Sequence, residues 1–172
     1  MSKKAFLHTC IWMELCVLSN PQNPHEISQN RKATELLSDL MTKGVEIVSL
    51  NYQIVELMQV ILKTKMKQCN RNLRKNNISG VAKNIKEFRN NPNCQSYLQQ
   101  ALLVCESTYE DIKRMSSTID EYSIDVKQVI AFLEKLDVND CIYYEYCKKN
   151  EIDLYTFDSD FANLNQKIIK VI

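Results

Sequence analysis

A chain of 172 residues with 45% apolar content can bury a sizeable core as one domain, residues 1–172. Its 22 Lys plus Arg against 21 Asp plus Glu leave a net charge of +1, so bulk charge points to no class of partner and only its distribution along the chain can. Two Gly and three Pro argue against a sandwich or barrel of many turns, and seven Cys without a Cys-x-x-Cys pair argue against a zinc ribbon or a disulfide framework.

Free cysteines are simplest in a reduced, cytoplasmic protein. Lys3 and Lys4 precede an apolar run as in a signal peptide, but His8 and Glu14 interrupt the run and no small-residue cleavage site follows. No apolar run approaches the length that crosses a bilayer, so no membrane partner is expected.

Taken in order, Ala5, Phe6 and Leu7 read as a short buried strand, followed by His8, Thr9 and an apolar run from Ile11 to Leu18. Asn and Pro mark positions 19–24 as a loop. Ser28 is the expected cap of a helix whose apolar positions Ala33, Leu36, Leu37, Leu40 and Met41 follow the i, i+3, i+4 spacing, with Gly44 just past its end. Val45 to Leu50 is the next strand, which makes a βαβ unit with parallel strands. Asn51 to Lys65 is then predicted as a helix with Ile54, Val55, Met58, Ile61 and Leu62 inward and Glu56 near the end of the second strand.

From Lys63 to Lys75 six basic residues follow one another, Lys63, Lys65, Lys67, Arg71, Arg74 and Lys75, and no acidic residue occurs between Glu56 and Glu87. A solvated helix face normally mixes both signs; a one-sided run is a candidate phosphate-contacting surface. Residues 66–121 read as a helical insertion: a turn at 76–80, another at Pro92, and a stripe of Tyr97, Ala101, Cys105, Tyr109, Ile112, Met115 and Ile119. Val126, Val129, Ile130, Leu133 and Leu136 make a further stripe. Cys10 with Cys16, and Cys141 with Cys147, are spaced for packing and not for ligation.

Asp140 then opens a helix that stops near Asn150, and a strand from Asp153 to Phe157 ends at Asp158 and Asp160. Ligands of open α/β sheets bind beyond the carboxyl ends of the strands, so Glu56, Asp140, Asp158 and Asp160 are candidates for one acidic site. Hard cations such as Mg²⁺ or Mn²⁺ take carboxylate oxygens, and carboxylate-held metals suit phosphodiester hydrolysis. On the residues alone, Asp158 and Asp160 read more readily as the cap and first turn of a helix around Phe161 to Leu164 than as metal ligands, since Asp is favoured at those places.

Four pieces in order resemble the PIN-domain nuclease family, and within it the VapC type of ribonuclease toxin. They are Phe6-Leu7-His8-Thr9-Cys10-Ile11-Trp12, Ile54-Val55-Glu56-Leu57, Asp140, and Thr156-Phe157-Asp158-Ser159-Asp160-Phe161. The resemblance implies an α/β three-layer domain with a short, mainly parallel sheet between helices, and Mg²⁺- or Mn²⁺-dependent cleavage of RNA. It implies Glu56, Asp140, Asp158 and Asp160 as metal ligands, RNA as substrate, an antitoxin as partner and a homodimer. The family's first strand ends in a metal-binding Asp where this chain has His8. A neutral imidazole is a poor Mg²⁺ ligand and one negative charge is lost, which implies impaired or absent cleavage. The alternatives are a non-catalytic PIN-like module that binds RNA or protein, and a structure-specific DNA nuclease.

Overall fold

A computed structural model describes residues 3–17, 23–164 and 166–172. Five strands, β1 (Lys4–Leu7), β2 (Glu46–Leu50), β3 (Ser117–Ile119), β4 (Asp153–Thr156) and β5 (Ile169–Val171), form one sheet in the order β3-β2-β1-β4-β5, with every pairing parallel. The central strand reads as one apolar run because both of its faces are covered: Ala5, Phe6 and Leu7 are wholly buried. Phe6, Val48, Leu50 and Leu154 pack on one face under α6 (Val126–Phe132) and α7 (Val138–Lys149). Ala5, Leu7 and Ile47 pack on the other under α1 (Thr9–Trp12), α2 (Pro24–Thr42), α3 (Asn51–Lys75) and α5 (Gln95–Met115). The result is the expected three-layer α/β arrangement, its strand order reversing between β1 and β4.

Several boundaries differ from the sequence reading, each for a local reason. Helix α2 begins at Pro24 and not after Ser28, because Asn23 accepts the Glu26 N–H at 2.9 Å and Pro24 supplies a preset first turn. Leu18 and positions 19–22 of the expected loop lie outside the described residues. Gly44, at φ +62, takes the left-handed position that ends α2, with Val45 N–H donating to Leu40 O at 3.0 Å.

Helix α3 runs ten residues past the expected end at Lys65, since nothing between Lys65 and Lys75 breaks it and Arg74 and Lys75 suit its C-terminal dipole. Its inward face carries Ile54, Leu57 and Ile61, whereas Val55 is 55% exposed. The segment 66–121 is therefore not wholly helical beyond α3: it holds α4 (Ile85–Asn90), a 3₁₀ turn (Pro92–Cys94), α5 and the strand β3. The apolar i, i+4 spacing from Met115 to Ile119 conceals a three-residue edge strand too short to show a period of two.

The stripe on α6 also divides, with Val129 and Leu136 buried but Val126, Ile130 and Leu133 at the surface. Met41 on α2 and Tyr109 on α5 are likewise exposed.

The face assignment of α3 gives opposite expectations for two neighbouring residues. Leu57→Ala should cost about 2–5 kcal/mol by opening a cavity under the sheet, and Val55→Ala should stay within about 0.5 kcal/mol of the parent. Urea denaturation of the two variants decides it; equal losses would contradict the assignment.

Candidate functional site

The site grows from the carboxyl end of β1, at the point where the strand order reverses, the usual ligand position in open α/β sheets. His8 continues β1 by one residue, its N–H donating to Tyr155 O at 2.9 Å, and then starts α1. Helix α3 leaves β2 directly, and its buried Gln53 donates Nε2–H to Leu7 O at 2.7 Å. That bond fixes the first turn of α3 against the end of β1, and Glu56 faces the same edge one turn later. Asp140 lies in the first turn of α7, beside Asn139 and one turn before Tyr143.

His8 is 7% exposed, and each ring nitrogen has a partner. Nε2–H donates to Asp140 Oδ1 at 2.7 Å, and Nδ1 lies 3.2 Å from Cys10 Sγ. Tyr143 and Phe161 meet the imidazole edge-on, with ring centroids 5.8 and 5.3 Å away. Burial alone pulls the His8 pKa down, but the hydrogen bonds to Asp140 and Cys10 and the charges behind them outweigh it and push it up to about 10. The Cys10 thiol shows the complement: burial raises its pKa, while His8, the Phe157 N–H at 3.3 Å and the Thr156 hydroxyl at 3.5 Å bring it below the ordinary value. Asp140, His8 and Cys10 thus form a buried chain, its imidazole held between a carboxylate and a thiol that both favour the charged ring.

Glu56 is held by three other groups. Asn139 Nδ2–H donates to Oε1 at 2.6 Å, while Thr9 Oγ1–H and Tyr143 O–H donate to Oε2 at 2.8 and 2.5 Å. Tyr52 O–H donates to Asn139 Oδ1 at 2.5 Å, which sets the amide so that its N–H₂ faces Glu56. Burial and then the Glu56 bond push the Tyr143 phenol far above its usual range, so it remains a donor.

The structure therefore brings His8, Glu56 and Asp140 to one strand end. Asp158 stands at the end of β4, where its Oδ1 accepts the Asp160 N–H at 2.9 Å and its own N–H donates to Thr156 Oγ1 at 2.9 Å. It caps the 3₁₀ turn Ser159–Leu164, and Asp160 is exposed. Neither makes a hydrogen bond or ion pair to His8, Glu56 or Asp140 among the described residues.

A divalent ion with near-octahedral oxygen ligation does not fit this donor set. Three donors occupy Glu56, His8 occupies one oxygen of Asp140, and no three His, Cys, Asp or Glu residues are arranged so that they could hold a metal ion among the described residues. Cys10, expected only to pack, faces His8. The sequence reading does not assign Thr9, Asn139 and Tyr143 to the site, although their places beside His8, beside Asp140 and at i+4 from Asn139 are a legible signal. Neither a family model nor a curated protein matches the chain.

Two outcomes check the buried pair. Asp140→Asn should cost about 3–5 kcal/mol at neutral pH, because it leaves the buried imidazole without its counter-charge. Above the ordinary imidazole value of 6.5 the unfolded chain loses a proton that the folded chain keeps until about 10. The His8 contribution is thus complete below about 6.5 and declines as pH rises through about 10. The stability difference between parent and Asp140→Asn, from urea denaturation at pH 6 to 10, should shrink across that window; a constant difference would refute the protonated pair.

Proposed function

We propose that the chain is a PIN-like module that binds RNA without cutting it, its strand-end site closed by the His8–Asp140 pair. The observation that carries this reading is the 2.7 Å contact of the buried His8 imidazole with Asp140. The imidazolium places a single positive charge inside the fold where a divalent ion would bring two, and Thr9, Asn139 and Tyr143 donate three hydrogen bonds to Glu56 without neutralising it. No cleavage step is assigned to such a site.

Helix α3 supports the binding half of the proposal. Lys63, Lys67, Arg71, Arg74 and Lys75 are exposed, and the first four recur at helical spacing over about 16 Å of the axis. Neither they nor Lys65 enter an ion pair among the described residues. Unneutralised cations in a row suit a phosphate backbone, which they hold by releasing counterions rather than by reading bases.

The catalytic alternative is a metal-dependent endoribonuclease of the toxin type with an antitoxin partner in a homodimer. One observation favours it: Glu56 and Asp140 reach the same strand end from two different helices.

Fluorescence anisotropy with single-stranded RNA tests the proposal. Binding should weaken with salt, and Lys63→Gln, Lys67→Gln, Arg71→Gln and Arg74→Gln should each lower the slope of log K against log salt by about 0.7. In Mg²⁺ or Mn²⁺ the parent chain should leave RNA and DNA intact, while His8→Asp, which exchanges the internal cation for a carboxylate, should begin to cut RNA. Cutting by the parent chain, or a salt slope that the four substitutions leave unchanged, would overturn it.

A further inference from the structure

Away from the strand-end site, two thiols stand closer together than unbonded sulfurs do. Cys69 lies in the C-terminal half of α3, Cys94 ends the 3₁₀ turn before α5, and both are wholly buried with their Sγ atoms 2.8 Å apart. Unbonded heavy atoms settle at about 3.5–4.0 Å, and the sulfurs of a cystine at about 2.05 Å, so closing the bond needs about 0.8 Å of approach. Leu73, Ala82 and Phe88 surround the pair with apolar side chains. The Asn93 carbonyl, 3.9 Å from Cys69, is too distant to compete.

We propose that Cys69 and Cys94 are a covalent modification site that closes to a cystine, tying the basic half of α3 to the start of α5. The oxidant is a small-molecule disulfide of the glutathione class. One cysteine thiolate attacks a glutathione sulfur and expels the other glutathione as a thiol; the second cysteine thiolate then attacks the protein sulfur of this mixed disulfide and expels the remaining glutathione. The two cysteines lose two protons and two electrons, and one glutathione disulfide becomes two thiols.

Burial, followed by the contact with Cys94, pushes the Cys69 thiol up to about 12, which keeps it inert in the closed, reduced fold. Entry of the oxidant therefore requires opening of the small cluster around Phe88, and the cystine is shielded once the cluster closes. A single cross-link of this kind is compatible with seven cysteines that form no framework. It closes a loop between positions 25 apart that contains Arg71, Arg74, Lys75 and α4.

The whole chain, held in a glutathione redox buffer and quenched in acid, tests this by peptide mapping. The expected product is a Cys69–Cys94 cross-linked peptide about 2 Da lighter than its two reduced parts, with a thermal midpoint higher by on the order of 5–10 °C. Cys94→Ala should abolish both the cross-link and the shift. Free thiols at both positions, glutathione adducts without a cross-link, or a cystine from either residue to another cysteine would overturn the proposal; mapping of the parent chain decides it even where Cys94→Ala folds poorly.

Discussion

A positive charge buried at the end of the central strand organises this molecule. His8 leaves β1 where the sheet reverses its order, and an imidazole that keeps its proton in so buried a place requires a carboxylate beside it. Asp140 meets it from α7 and Cys10 from the start of α1. Because those partners belong to different layers, one ring pins the first turn of α7 and the β1–α1 corner together. Tyr143 and Phe161 then pack edge-on against the ring.

The second carboxylate at this edge is stabilised in a different currency. Glu56 receives an amide, a hydroxyl and a phenol, all neutral, so it is satisfied without a counter-ion. Hydrogen bonds to a carboxylate are stronger than those between neutral groups, and three of them leave it little to gain from an external cation. Asp158 is diverted again, into capping the turn after β4. Each of the three carboxylates thus has its own partner within the chain.

How much of this was legible in the sequence follows from the range of the signals involved. The apolar run of β1, the spacing of α2 and the turn at Gly44 are local, and they gave the parallel βαβ start of the sheet. The order Glu56, Asp140, Asp158 points to one edge: Glu56 and Asp140 reach the end of β1, and Asp158 follows the end of its parallel neighbour β4 without a hydrogen bond to either among the described residues. The distribution of hydrogen bonds was not legible: whether Glu56 meets an ion or Asn139 depends on rotamers set by Tyr52, 87 positions from its partner. The spacing that suggested packing for Cys10 was silent on its contact with His8, since that contact runs across a strand-to-helix corner. Strand β3 was hidden for a simpler reason, three residues being fewer than any periodicity needs.

The protonation of His8 is the hinge of the account, and it is directly observable. Nitrogen-15 NMR of ring-labelled histidine in the folded chain at pH 8 should show both His8 nitrogens carrying protons, with neither losing its proton until the pH nears about 10. A His8 ring that is singly protonated at pH 8, titrating near the ordinary 6.5, would mean that no cation stands between Asp140 and Cys10 and would contradict the closed site.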